Sequence, residues 1–88
     1  MIKRELKIYT SKNCMYCDKL KDGLDKTELK YVVIDVDDPK NNNEVTKIYS
    51  FAGEPVIPII TIQPHVLVPK KSFNTIDEAL ELIEFLMK

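Results

Sequence analysis

Cys14 and Cys17 are the chain's two cysteines, and they stand in a C-x-x-C arrangement, Cys14-Met15-Tyr16-Cys17. Within one turn of helix this spacing brings two sulfurs close enough to form a disulfide and release it again. A disulfide closing so short a loop restrains the unfolded chain only weakly, so a structural staple explains the pair poorly. The chemistry the spacing fits is thiol–disulfide exchange. Half of a zinc site would use the same spacing. Zinc wants four ligands, however, and no second C-x-x-C or H-x-x-H exists. His65 is the single histidine. A metal site would need a dimer, and none is expected. A pair of inert core cysteines is the other bland reading, and the pattern around them argues against it.

That pattern comes from the elements that must hold the cysteines. Glu5 to Thr10 reads E-L-K-I-Y-T, a half-buried strand in which Leu6 and Ile8 alternate with charged residues. Ser11-Lys12-Asn13 is a polar loop suited to cap the next element. From about Met15 to Lys26 the period becomes helical. Cys17, Leu20 and Leu24 share one face, at i, i+3 and i+7. Cys14, Asp18 and Lys21 share another. Cys17 therefore belongs to the apolar stripe and Cys14 to the wet one. A sulfur at a helix start sits where unpaired N–H groups and the helix dipole favour thiolate. Cys14 is the candidate nucleophile, with Lys12 two residues upstream adding positive charge. Cys17, one turn deeper, is the candidate resolving thiol, because burial raises a thiol's pKa and hides it.

The remaining pattern supplies a frame. Lys30 to Val36 is a near-continuous β-branched run, which suggests a parallel strand covered on both faces. Asp38-Pro39 reads as an N-cap and first helical residue. Val45, Ile48, Tyr49 and Ala52 mark a second helix that Gly53 stops. Ile59 to Ile62 is a third strand, Gln63-Pro64-His65 a turn, and Val66 to Val68 a fourth strand. Thr75-x-x-Glu78 has capping-box spacing, with Asn74 as the other candidate cap. Ile76, Ala79, Leu80, Ile83 and Met87 mark a last helix. The order β-α-β-α-β-β-α predicts an α/β fold: a four-stranded mixed sheet, first two strands parallel and last two antiparallel, with helices on both faces. Tyr9, Tyr31, Phe51, Phe73 and Phe85 are expected to pack. His65 is expected to be exposed and silent. Asp35, Asp37 and Asp38 are expected to serve a strand end and a cap.

With 88 residues the chain fits a single domain, 1–88. A formal net charge of −1 gives no bulk electrostatic reason to bind nucleic acid or an anionic membrane. The longest apolar run, Val56 to Ile62, is too short to span a bilayer. The basic start lacks an apolar stretch of the secretory kind, so the expected compartment is the cytoplasm, and the expected state is a monomer.

Lys7 to Thr10, then Cys14 to Cys17, then Val56-Ile57-Pro58 before a hydrophobic strand, resembles a glutaredoxin of the thioredoxin fold, most like the small phage and bacterial dithiol type. The C-x-Y-C form is closer to glutaredoxins than to thioredoxins, which usually carry C-G-P-C and a tryptophan before it. The resemblance implies a thiol–disulfide oxidoreductase with no tightly bound cofactor, reduced by glutathione. It implies protein disulfides as partners, ribonucleotide reductase among them. It also implies a cis Ile57–Pro58 peptide, a minority state for X–Pro bonds. By position, Tyr16 would flank a glutathione site, Lys12 would meet a glutathione carboxylate, Ile57 would offer backbone contacts beside Pro58, and Asn74 would contact the glutamyl end.

Three positions depart from the family pattern. Met15 replaces the usual motif proline, and Val56 a threonine. Pro69-Lys70-Lys71-Ser72-Phe73-Asn74 replaces a segment with a Gly-Gly pair that lets a backbone approach glutathione. Lys70 and Lys71 would partly compensate by attracting a carboxylate. The same residues admit two rival readings. One is a thioredoxin-like electron donor reduced by thioredoxin reductase. The other is a non-enzymatic binding or iron–sulfur carrier module, which the second cysteine and the lost glycines disfavour.

Overall fold

The computed structural model describes residues 5–63 and 65–87. Strand β1 (Leu6–Thr10) leads into helix α1 (Met15–Asp25) and strand β2 (Val32–Asp35). A single 3-10 turn (Pro39–Asn41) opens helix α2 (Asn42–Ala52). Strands β3 (Ile59–Ile62) and β4 (His65–Leu67) and helix α3 (Ile76–Met87) complete the order. The sheet order is β2-β1-β3-β4. β1 and β2 run parallel, while β3 is antiparallel to both β1 and β4. This is the mixed sheet of a thioredoxin-like fold.

Strand alternation splits the interior in two. Leu6, Ile8, Ile60 and Ile62 face α1 and α3, meeting Leu20, Leu24, Ala79 and Ile83. Tyr9, Ile59 and Val68 face α2, meeting Val45 and Ala52. Each fully buried Leu or Ile contributes about 1.5–3 kcal/mol relative to exposure, so the larger cluster beneath α1 anchors the helix that carries the cysteines. Gly23 lets α1 and α3 approach, since a Cβ there would lie 2.5 Å from Leu80 Cδ1. Lys7 Nζ donates to Glu44 Oε1 at 3.0 Å and ties β1 to α2. That bond is the main cause of the raised Lys7 pKa.

Several expectations need correction. β2 is parallel to β1 but lies at the sheet edge, and Val32 and Val33 are exposed. An edge strand needs β-favouring residues, not cover on both faces. Phe51 and Phe85 do not pack; they are 76% and 72% exposed. Tyr9 and Phe73 are buried, and Tyr31 packs against the larger cluster. Asp38 caps the 3-10 turn by accepting from the Lys40 N–H, so α2 starts one turn later than the Asp-Pro signal suggests. Gly53, at φ 87°, ends α2 as expected. The turn before β4 involves Pro64, which lies outside the described residues. His65 belongs to β4 rather than that turn, and is exposed. Thr75, not Asn74, caps α3, its hydroxyl accepting from the Glu78 N–H at 3.2 Å.

Candidate active site

Register decides what meets at the end of the sheet. Tyr9 pairs with Ile59 across β1 and β3. The chain leaving β1 toward Cys14 therefore passes the chain entering β3 from Pro58. Ile60 pairs with Leu67 across β3 and β4. Continued two residues, that register sets Pro69 opposite Pro58. Three segments distant in sequence thus converge: the C-x-x-C turn, the Ile57–Pro58 peptide, which is cis, and the loop from Pro69 to Asn74.

The β1–α1 loop is fixed from the side. The Val36 N–H donates to the Thr10 carbonyl at 2.8 Å, and the Ser11 hydroxyl donates to Asp37 Oδ2 at 2.7 Å. Ser11 is therefore occupied and does not cap α1. Cys14 is the N-cap itself: its backbone is extended (φ −106°, ψ 106°) and its Sγ accepts from the Cys17 N–H at 3.1 Å. Cys14 and Cys17 are disulfide-bonded, with Cα atoms 5.2 Å apart. Cys14 is half-buried, whereas Cys17 has no exposed surface and sits on the stripe of Leu20 and Leu24. The helical period places the two sulfurs in different environments one turn apart. The Asp18 carboxylate lies 3.6 Å from the Lys21 ammonium on the wet face.

Beside the motif lies a groove of about 520 Å³, within the range of small-ligand clefts. Its lining brings together Tyr16, Ile57, Pro58 and Asn74. Tyr16 stands well out of the surface, 62% exposed. Among the described residues nothing pairs with the backbone N–H or C=O of Ile57. Lys12 is exposed in its loop and does not line the groove, and neither cysteine does. No group of His, Cys, Asp or Glu large enough to hold a metal ion occurs among the described residues.

The groove's far wall is the loop that stands where glycines were expected. Lys70 takes the left-handed backbone conformation (φ 66°) and lines the groove. For a residue with a Cβ that conformation costs about 1 kcal/mol. Four hydrogen bonds hold it. The Lys70 N–H donates to the Phe73 carbonyl at 2.7 Å, and the Lys71 and Ser72 N–H groups both donate to the Val68 carbonyl. The Val68 N–H donates to the Ser72 hydroxyl at 3.1 Å. Lys71 points away from a ligand role, because its ammonium donates to the Ala52 carbonyl at 2.6 Å, at the end of α2. Of the two lysines expected to attract a carboxylate, one is thus a structural tie. Glu54, Val56 and Thr75 also line the groove, though no motif marks them as binding residues. Proximity to Pro58 and to the α3 cap is the signal the sequence carries for them.

The sequence model of one family, described as glutaredoxin, matches residues 6–67. Among solved structures, the chain is similar to a buckwheat glutaredoxin in complex with glutathione. The TM-score is 0.67 at 16% identity, covering 93% of this chain and 70% of that one. No curated protein gives a significant sequence match.

Proposed function

The chain belongs to the glutaredoxin family and is a thiol–disulfide oxidoreductase, and on that premise we propose that Cys14 is its nucleophile and Cys17 its resolving thiol. The observation that carries the assignment is the unequal setting of the two sulfurs. Cys14 Sγ accepts an N–H at the mouth of α1, while Cys17 is sealed beneath. In the reduced protein the same N–H and the helix dipole favour a thiolate on Cys14. That thiolate attacks one sulfur of a substrate disulfide. A Cys14–substrate disulfide forms and the other half leaves as a thiolate. Cys17, losing its proton, then attacks Cys14 Sγ, so the remaining substrate half leaves reduced. The enzyme has given up two electrons and holds the Cys14–Cys17 disulfide. Lys12, two residues upstream, adds positive potential that favours the first step.

Glutathione is the proposed reductant. Two molecules would return the two electrons and leave as glutathione disulfide. The support is the family, the buckwheat relative solved with glutathione, and a groove in which Tyr16, Ile57, Pro58 and Asn74 meet. The Ile57 backbone, without a partner among the described residues, would hydrogen-bond the peptide groups of a bound disulfide. Protein mixed disulfides are the proposed substrates.

Alkylation of the reduced protein across pH tests the assignment. The reactive thiol should titrate below the ~8.5 of a free cysteine, and the signal should vanish in Cys14→Ser. A profile at the ordinary value would overturn the activation by α1. Turnover coupled to glutathione reductase, compared with turnover coupled to thioredoxin reductase, tests the reductant. Exclusive use of thioredoxin reductase would overturn the glutathione assignment.

A further inference from the structure

We infer that Lys70 is a specificity-determining residue, taking a carboxylate on the substrate half that lies in the groove. The inference rests on the oxidoreductase reading and concerns which disulfides that chemistry prefers. Lys70 is the one cationic side chain among the groove's described lining. Among the described residues no carboxylate pairs with it, whereas Lys71 beside it is already committed to Ala52. The backbone around Lys70 is held by bonds to Phe73 and Val68 in a left-handed turn, so the base of its side chain is fixed before a ligand arrives. A pre-ordered site loses less entropy on binding. The groove also has apolar walls, Phe73, Val56 and Ile76.

The nearby start of α3 does not make Lys70 redundant. Its first turn carries Asp77 and Glu78, which oppose the positive end of the helix dipole. Glu54 lines the same groove and makes no ion pair with Lys70. The groove thus presents one charge of each sign, and a substrate carboxylate is taken at the Lys70 side against repulsion from Glu54. The carboxylate has two sources: an acidic side chain next to the reacting cysteine of a protein, or glutathione itself.

The experiment uses end-blocked peptides disulfide-linked to a neutral thiol, identical except for Glu, Gln or Lys beside the cysteine, and the Gln peptide carrying glutathione instead. For the wild type, kcat/KM on the Glu peptide should exceed that on the Gln peptide by about three- to fivefold, as an exposed charge pair gives. The Lys peptide should fall below both. The preference should disappear in Lys70→Gln, reverse in Lys70→Glu, and widen in Glu54→Gln. It should shrink in high salt. The Gln peptide on a neutral thiol should stay within about twofold throughout, which shows that exchange itself is intact. A charge-dependent loss confined to the glutathionylated peptide supports Lys70 and assigns the carboxylate to glutathione. Ratios unmoved by Lys70→Gln and Lys70→Glu on all four substrates would overturn the inference. Failure of the wild type to reduce any of them would overturn the oxidoreductase reading, and this inference with it.

Discussion

The turn from Cys14 to Cys17 and the groove wall from Pro69 to Asn74 face the same end of the sheet, yet they are built in opposite ways. In the turn the β1–α1 loop is braced from β2, but what sets the two sulfurs apart is local. Cys14 Sγ accepts from an N–H three residues away, and Cys17 is hidden by the helical period it shares with Leu20 and Leu24. In the wall the Lys70 turn is closed by local bonds, but its placement is tertiary. Its position follows from the β3–β4 register, and its anchor to α2, Lys71 to Ala52, spans 19 residues of sequence. The difference teaches that electron transfer can be specified by four residues and a helix start, whereas recognition needs the assembled fold. The two should then fail separately.

Cys14→Ser is the largest test of that separation. Turnover of dithiol-dependent substrates should fall by several orders of magnitude, as loss of a nucleophile does. The reduced variant should melt close to the reduced wild type, because Cys14 is a half-buried cap and serine also caps helices. Cys17→Ser should instead accumulate a mixed disulfide on Cys14, visible by mass spectrometry. Retained dithiol turnover in Cys14→Ser would break the comparison at its first term.

Lys71→Met tests the wall. Methionine keeps much of the stem but loses the bond to the Ala52 carbonyl, a charge-assisted, part-buried contact. The expected cost is about 1 kcal/mol in chemical denaturation. KM for groove-filling substrates should rise, while the pH dependence of Cys14 alkylation should not move. A shifted alkylation profile would mean that the wall helps set thiol reactivity, and the separation would fail.

What could be read in the sequence obeys the same division. The α1 stripe, the Thr75 cap and the antiparallel β3–β4 pair are local patterns, and they are present as expected. The edge position of β2 was not legible, because Val32 and Val33 favour a strand whether or not anything covers them. Phe51 and Phe85 depart from expectation for another reason. The buried faces of α2 and α3 run through Val45 and Ala52, and through Ala79 and Ile83. Phe51 is one residue off the first face and Phe85 two off the second. Helical phase, which the sequence does contain, decides their exposure, and apolar identity does not, since large apolar residues are often exposed. Lys70 and Lys71 are adjacent and identical in type. Only the fold shows that one lines the groove and the other ties a helix end.

Lys70→Gly sharpens the contrast by moving two properties of the wall in opposite directions. Glycine takes a φ of 66° without a Cβ penalty, at the cost of a freer unfolded chain. The net change should be a stabilisation of up to about 0.5 kcal/mol, read from the denaturation midpoint. The carboxylate preference should vanish in the same variant. A destabilised Lys70→Gly would mean that the lysine side chain supports the fold and is not there for the ligand alone.

The smallest expected effect lies at the far end of the redox helix. The Tyr31 hydroxyl donates to Asp25 Oδ1 at 2.6 Å, and that bond, with burial second, pushes the Tyr31 pKa up to about 12. In the unfolded chain it titrates near 10. The folded state therefore keeps a proton that the unfolded state gives up. The contribution is fully present below pH ~10 and is lost as pH rises through ~12. Tyr9 and Tyr49 are raised by burial and Lys7 by Glu44, so they act in the same direction. The informative quantity is then the difference between wild type and Tyr31→Phe across that window. Because the pair is exposed, screening should hold that difference below about 1 kcal/mol. It should narrow as pH rises from 10 to about 12, measured on the oxidised protein by denaturant midpoint. If reactivity is set at the helix start, Tyr31→Phe should also leave the alkylation profile of Cys14 where it was, since the helix dipole acts mainly within the terminal turn. A displaced profile would show that charge at one end of α1 is felt by the sulfur at the other, and the local account of the turn would have to be given up.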